Sequence, residues 1–236
     1  MIEHTKTFYE NIIDSLRFAL SDKVSIIVIG VILTLISTME YYDFGYTGIG
    51  IIINIILIIL ILFESGYSSK IIEETIAGST KPPAIDNVME ILKLGVKESL
   101  VLIGYFMILT ALTTLTYIFH WLFPSIEILI ITNIILSAVL LIFLQSSLIY
   151  RAHKSGKVRE GFDLKGIFRL YSKLGFKSCF YLFVAGLIAQ VVIVSSVFNL
   201  SSLEFARIIR FILKFTLAPI CLIFSLRLFA LQGTID

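Results

Sequence analysis

Gly48-Ile49-Gly50-Ile51-Ile52-Ile53-Asn54-Ile55-Ile56-Leu57-Ile58-Ile59-Leu60-Ile61-Leu62-Phe63 is the stretch that decides the fold. Its isoleucines are β-branched and, taken singly, favour a strand. Its length overrules them. The apolar run extends over 48–67, about the 20 residues that a helix rising 1.5 Å per residue needs to cross roughly 30 Å of hydrocarbon. An open strand in lipid leaves its backbone N–H and C=O groups without partners, whereas a helix satisfies them internally. Five further runs of similar character lie at 24–41, 98–123, 126–150, 179–200 and 208–230. The expectation is an all-α integral membrane bundle of six transmembrane helices.

Composition agrees. The chain has 236 residues, 58% hydrophobic and 15% charged, with a mean hydropathy of +0.98. Soluble domains carry about 25% charged residues, because their surface must meet water. A net charge of +2 implies no nucleic-acid partner. Cys179 and Cys221 stand in apolar runs with no CxxC partner, so they read as small core residues rather than a disulfide or metal signature. The first 23 residues mix acids with Lys6, Arg17 and Lys23 ahead of a late apolar run. That is unlike a secretory signal, and the segment is expected to stay on the protein.

The cations set the orientation. Of the 19 Lys and Arg, three lie in residues 1–23 and four, Lys70, Lys81, Lys93 and Lys97, between spans two and three. Eight more lie between spans four and five: Arg151, Lys154, Lys157, Arg159, Lys165, Arg169, Lys173 and Lys177. The turns at 42–47 and 124–125 have none. The positive-inside rule places both termini and both long loops in the cytoplasm, with the plasma membrane as the expected location.

The chain also repeats. Lys93-Leu94-Gly95-Val96-Lys97 recurs as Lys173-Leu174-Gly175-Phe176-Lys177, and Arg17-Phe18-Ala19-Leu20-Ser21 is a degenerate third copy. The spacing divides a single transmembrane domain into units of about 80 residues, 1–67, 68–150 and 151–236. Each unit is an amphipathic helix followed by a transmembrane hairpin, with Gly95 and Gly175 letting the chain turn from the membrane plane into a span. In the first unit Phe8, Ile12, Leu16 and Ala19 make the apolar stripe. In the second, Val88, Ile91, Leu92 and Gly95 share one face, with Glu90, Lys93 and Lys97 opposite. In the third, Leu164, Ile167, Phe168, Tyr171 and Gly175 form the stripe, and Lys165, Arg169 and Lys173 face away. Asp86 and Asp163 are placed as N-caps. Two readings fit such helices: they lie in the headgroup layer with cations near anionic lipid, or they pack on the protein's own cytoplasmic side.

Gly66-Tyr67-x-x-Lys70-Ile71-Ile72, followed by Gly78, Pro83, Asp86, Gly95-x-Lys97 and Tyr105, resembles an archaeal membrane family, common in methanogens and known only as a domain of unknown function. The resemblance covers nearly the whole chain and is clearest over 64–105. Ala84-Ile85 departs from the acidic-aromatic pair expected before Asp86. The resemblance implies a helical membrane fold and no activity. The plan is also similar to that of bacterial six-span families, a likeness of architecture alone.

No nucleophile, base or metal-ligand set clusters in the sequence, so no catalytic residue, metal or cofactor is expected. Lys154-Ser155-Gly156-Lys157 lacks the first glycine of a phosphate loop. His4, His120 and His153 are far apart, and His120 beside Trp121 reads as an interfacial belt with Tyr117 and Phe123. Polar residues inside spans are the better lead, since each is costly in lipid and faces the protein interior. Their structural reading is helix-to-helix glue and backbone bonding. Glu64 is expected to pair with Lys70, Lys214 to snorkel beside Arg210, and Pro219 to kink span six. Their functional reading is a hydrophilic path through Glu64, Gln145, Gln190 and Lys214, which would make the chain a transporter or channel for a small solute. Against transport, Pro219 has no counterpart in the other spans. The preferred expectation is a non-enzymatic membrane protein with a basic cytoplasmic face (Lys93, Lys97, Lys165, Arg169, Lys173 and Lys177) that binds anionic lipid headgroups or a protein partner.

Overall fold

The computed structural model describes residues 8–41, 48–122, 126–154, 156–174 and 213–232. Regular structure among them is helical throughout: α1 (Phe8–Ser21), α2 (Lys23–Tyr41), α3 (Gly48–Ile76), α4 (Val88–Leu122), α5 (Ile126–Ala152), a 3-10 turn (Val158–Phe162), α6 (Leu164–Leu174), a π turn (Leu213–Leu217) and α7 (Ala218–Gln232).

Two helices, Gly48–Ile76 and Val88–Phe119, are long and apolar enough to cross a membrane. A third span results if Tyr9–Ser21 and Lys23–Met39, bent by 82° at their junction, are taken together. The molecule is a membrane-embedded helical protein. α5 is a 27-residue helix at the place of the expected fourth span. The fifth, 179–200, lies outside the described residues, and the sixth is represented by the π turn and α7. Six spans and a threefold repeat therefore go beyond what the described helices establish.

The 82° bend has a local cause. Ser21 Oγ bonds the Phe18 carbonyl at 2.7 Å and closes α1. Asp22 then accepts the backbone N–H groups of Val24 (3.0 Å) and Ser25 (3.3 Å) and heads α2 as its N-cap. An amphipathic helix thus meets an apolar one through a cap, with no glycine involved.

In the second unit the expected turn at Gly95 does not occur. α4 runs unbroken for 35 residues, about 52 Å at 1.5 Å per residue, and merges the amphipathic segment with the span. Gly95 is instead a contact point. A Cβ there would overlap the Leu62 carbonyl oxygen, and a Cβ on Gly66 would overlap that of Ile91. The two glycines let the backbones of α3 and α4 approach closely, as small residues do between membrane helices. Of the two readings of this amphipathic segment, packing on the protein's own helices applies here. The N-cap of α4 is also one residue later than expected, at Asn87, whose Oδ1 accepts the Glu90 N–H at 3.2 Å. Asp86 instead faces Lys70.

α3 ends at a glycine cap. Gly78 has φ +87°, and the Gly78 and Ser79 N–H groups bond the carbonyls of Thr75 and Glu74 at 3.0 and 2.9 Å. The following loop folds back, and the Tyr67 hydroxyl donates to the Pro83 carbonyl at 3.2 Å. Ahead of α7, Pro219 has no N–H to offer the Phe215 carbonyl, and the chain winds as a π turn there. Gly30 of α2 lies against that carbonyl so closely that a Cβ would overlap it. The expected distortion of span six is thus a π turn that receives α2.

The core gathers Phe18, Ile29, Phe63, Tyr67, Ile71, Ile91, Ile149, Ile223 and Leu226 from α1, α2, α3, α4, α5 and α7. These lie in α1 and α7, in the N-terminal parts of α2 and α4, and in the C-terminal parts of α3 and α5. The opposite halves of α3, α4 and α5 carry exposed side chains such as Ile52, Ile58, Phe106, Ile118 and Ile131. Such apolar exposure suits hydrocarbon and not water.

Candidate functional site

The basic face divides into cations that the bundle consumes and cations that it presents. Lys70, Arg151 and Arg227 stand in the C-terminal parts of α3, α5 and α7, and each meets an acid from elsewhere in the chain. Lys70 Nζ lies 3.8 Å from Glu90 and 4.0 Å from Asp86, so its partner is not Glu64. The Arg151 guanidinium bonds Glu98 of α4 at 2.5 Å through Nη1 and the Gly156 carbonyl at 3.2 Å through Nη2. Ser69 of α3 also donates to Glu98, at 3.1 Å. Arg227 bonds Asp14 of α1 at 3.0 Å and the Ser79 carbonyl at 2.7 Å, and its guanidinium covers the Phe18 ring at 4.4 Å. Arg151 is 3% and Arg227 5% exposed. Neither is available to a headgroup, although Arg151 opens the basic run in the sequence.

The segment after Arg151 turns back along the sides of α4 and α5. The Tyr105 hydroxyl donates to the Gly161 carbonyl at 2.9 Å, and the Phe162 ring stacks on Tyr105 with centroids 5.5 Å apart. Gly104 leaves room for that ring, since a Cβ there would meet it. Asp163 then caps α6: its Oδ1 accepts the Gly166 N–H at 3.1 Å, as the sequence predicted, and its Oδ2 accepts the Tyr150 hydroxyl at 2.8 Å. Those two donors, the Gly166 N–H foremost, hold the Asp163 carboxyl below its ordinary value. Gly166 sits under Tyr150, where a Cβ would overlap the phenol. α6 is thus fastened sideways to α5.

The stripe of α6 splits once docked. Ile167 is fully buried, whereas Leu164 is 56% and Phe168 68% exposed. Lys165 and Arg169 are exposed beside them. A cavity of about 600 Å3 between α5 and α6 is lined by Phe143, Leu164, Lys165, Phe168, Arg169 and Ser172. On α4, Lys93 and Lys97 are exposed. The side chain of Lys173, and all of Lys177 and Gly175, lie outside the described residues.

Of the four residues of the predicted hydrophilic path, Glu64 and Gln145 have described side chains. Glu64 is half-buried and accepts the Ser68 hydroxyl of its own helix at 3.2 Å, and Gln145 is half-buried on α5. Gln190 and the side chains of Lys214 and His120 lie outside the described residues. The threonines of α4 serve helix structure: Thr110 and Thr114 bond carbonyls one turn back at 2.9 and 2.8 Å. Thr116 reaches Asn133 of α5 at 3.2 Å, a bond between helices. Among the described residues no group of three or more His, Cys, Asp or Glu is placed to hold a metal ion.

The Gly66–Gly95 crossing, the Tyr67–Pro83 bond, the Lys70–Asp86 pair and the Gly78 cap use residues that carry the family resemblance, as does Tyr105 in its bond to Gly161. A family model agrees, matching residues 49–203. The chain belongs to the family described as Protein of unknown function (DUF4013). The DUF4013 match covers α3, α4, α5 and α6, and with them the Arg151–Glu98 pair and the α5–α6 cavity. α1, α2 and α7, joined by the Arg227–Asp14 pair, fall outside it. Comparison with curated proteins and with solved structures gave no match.

The Asp22 cap and the Arg–acid pairs were missed by sequence reasoning. Ser21-Asp22 ahead of an apolar run is a readable capping signal. The pairing of Asp14 with Arg227, 213 positions apart, leaves no local trace.

Proposed function

We propose that this DUF4013 protein is a non-enzymatic, multi-pass protein of an archaeal plasma membrane that binds anionic lipid through the cytoplasmic basic face centred on α6. The exposure of α6 carries this reading. Ile167 and the partly buried Leu170 seal the helix to the bundle, while Leu164 and Phe168 remain exposed beside Lys165 and Arg169. A helix with apolar side chains on one border and cations on the next suits the boundary between acyl chains and headgroups. Each cation near an anionic leaflet is worth on the order of 1 kcal/mol. Lys93 and Lys97 on α4 extend the face.

Six spans with both termini in the cytoplasm complete the proposal. The positive-inside distribution supports the orientation.

The test is the lipid that accompanies the full-length protein in native nanodiscs. Its anionic fraction should exceed that of the surrounding membrane, and Lys165→Gln with Arg169→Gln should reduce the excess. An anionic fraction equal to the bulk value, or one indifferent to these substitutions, would sink the reading.

A further inference from the structure

The basic face explains a general preference for anionic lipid, but the α5–α6 junction is more than a face. An open groove of about 600 Å3 lies along α5 and α6, in the size range of sites that hold a small-molecule ligand. Its lining is ordered by chemistry. Phe143 of α5 and Leu164 and Phe168 of α6 supply apolar surface, and Lys165, Arg169 and Ser172 supply two cations and a hydroxyl.

Depth gives that arrangement a direction. Phe143 precedes Arg151 by eight residues on α5, about 12 Å further into the membrane. Arg151 belongs to the polar layer, bonded to Glu98 and the Gly156 carbonyl, so Phe143 lies at acyl depth. The guanidinium of Arg169 and the ammonium of Lys165 are on long stems that reach toward headgroup level while their methylenes stay in the apolar zone. The cavity thus has an apolar floor on the hydrocarbon side and cationic walls beside it. Its walls are also held firmly: Tyr150–Asp163 and the burial of Ile167 fix α6 against α5.

From this we propose that the cavity holds a single anionic phospholipid molecule. Its phosphate lies between Lys165 and Arg169, and an acyl chain lies over Phe143, Leu164 and Phe168; the Ser172 hydroxyl donates to the Arg169 carbonyl at 2.9 Å and only borders the site. The occupant is a lipid rather than a free phosphate because the described lining includes Phe143, Leu164 and Phe168 beside the cations, and Phe143 lies at membrane depth. Its headgroup is anionic because the two cations that line the cavity are exposed, whereas Arg151 is already engaged. This site deepens the lipid-binding reading and rests on it. The reading concerns the composition of lipid around the protein, and the site concerns one retained molecule.

The experiment is native mass spectrometry of the full-length protein in micelles, titrated with dioleoylphosphatidylglycerol or with dioleoylphosphatidylcholine. The expected result is a single phosphatidylglycerol adduct that saturates, with phosphatidylcholine binding roughly tenfold or more weaker. Ser172→Trp, which adds bulk at the cavity without altering charge, should abolish that adduct. It should also leave the anionic excess in native nanodiscs unchanged. Leu164→Trp fills the same cavity from the first turn of α6 and should likewise abolish the adduct. Lys165→Gln with Arg169→Gln should lower both readouts. Inorganic phosphate should not displace the adduct; displacement would overturn the assignment in favour of a small-anion site. A saturating adduct that survives both tryptophan variants in a folded protein would also overturn it. Absence of the adduct with the nanodisc excess intact removes the site and leaves the broader reading standing. Loss of both in the unmodified protein removes both.

Discussion

Gly66 and Gly95 face each other where α3 crosses α4, and neither has room for a side chain. A Cβ on Gly66 would stand 2.7 Å from the Gly95 nitrogen and overlap the Ile91 carbonyl oxygen. The obstacle is backbone, so relief requires the helices to part. Replacing either residue by leucine is expected to destabilise the protein by about 3 kcal/mol or more, the upper end of overpacking costs. Thermal unfolding in detergent reads the change. Gly48→Ala, at a position with nothing within 4 Å, should leave the transition where it is. An unchanged transition in Gly95→Leu would contradict the crossing.

The Arg151–Glu98 pair ties α5 to α4, and Ser69 brings in α3. Both residues are buried, at 3% and 7% exposure. Removing one partner strands the other charge away from water, at a cost of about 3–5 kcal/mol. Arg151→Leu and Glu98→Leu are each expected to lower the melting temperature strongly. The double variant should recover much of the loss, because no unpaired charge remains. A double variant as unstable as the sum of the singles would show that the two do not interact.

The docking of α6 should depend on pH in one direction. The Gly166 N–H and the Tyr150 hydroxyl hold the Asp163 carboxyl below its ordinary value. A depressed carboxyl contributes stability that is present above its unfolded value and lost as pH falls through the lower folded value. The protection factors of the Gly166 and Ile167 amides, taken relative to the intrinsic exchange rate at each pH, should therefore be high and constant near neutrality and fall in acid. Asp163→Asn retains a side-chain acceptor for the cap without the charge, and should flatten this profile. Acid sensitivity that persists in the variant would point to another group.

Orientation is open to a direct test. Single cysteines replacing Asp43 and Ser125 should react with an impermeant reagent applied to intact cells. A cysteine replacing Ser155 should react only after permeabilisation. External labelling at 155 would reverse the proposed topology.

Helix content and the two long apolar helices, α3 and α4, were legible in the residues because a bilayer offers the backbone no alternative partner, so composition and length alone decide. The Asp163 cap was equally readable, since its donor, Gly166, lies three positions away. The amphipathic stripe of α6 was found too, but its division was not. A helical wheel separates apolar from charged positions and treats protein interior and lipid as one. That Ile167 meets the bundle while Leu164 and Phe168 do not depends on how α6 is held against α5, through Tyr150 and Asp163. Gly95 shows the same limit: read locally, a glycine before a span is a turn, yet α4 runs straight through it because α3 arrives there with Gly66. Which cations remain for a ligand was likewise a tertiary outcome. Arg151 and Arg169 are alike in sequence context, and only the approach of Glu98 withdraws the first and leaves the second exposed.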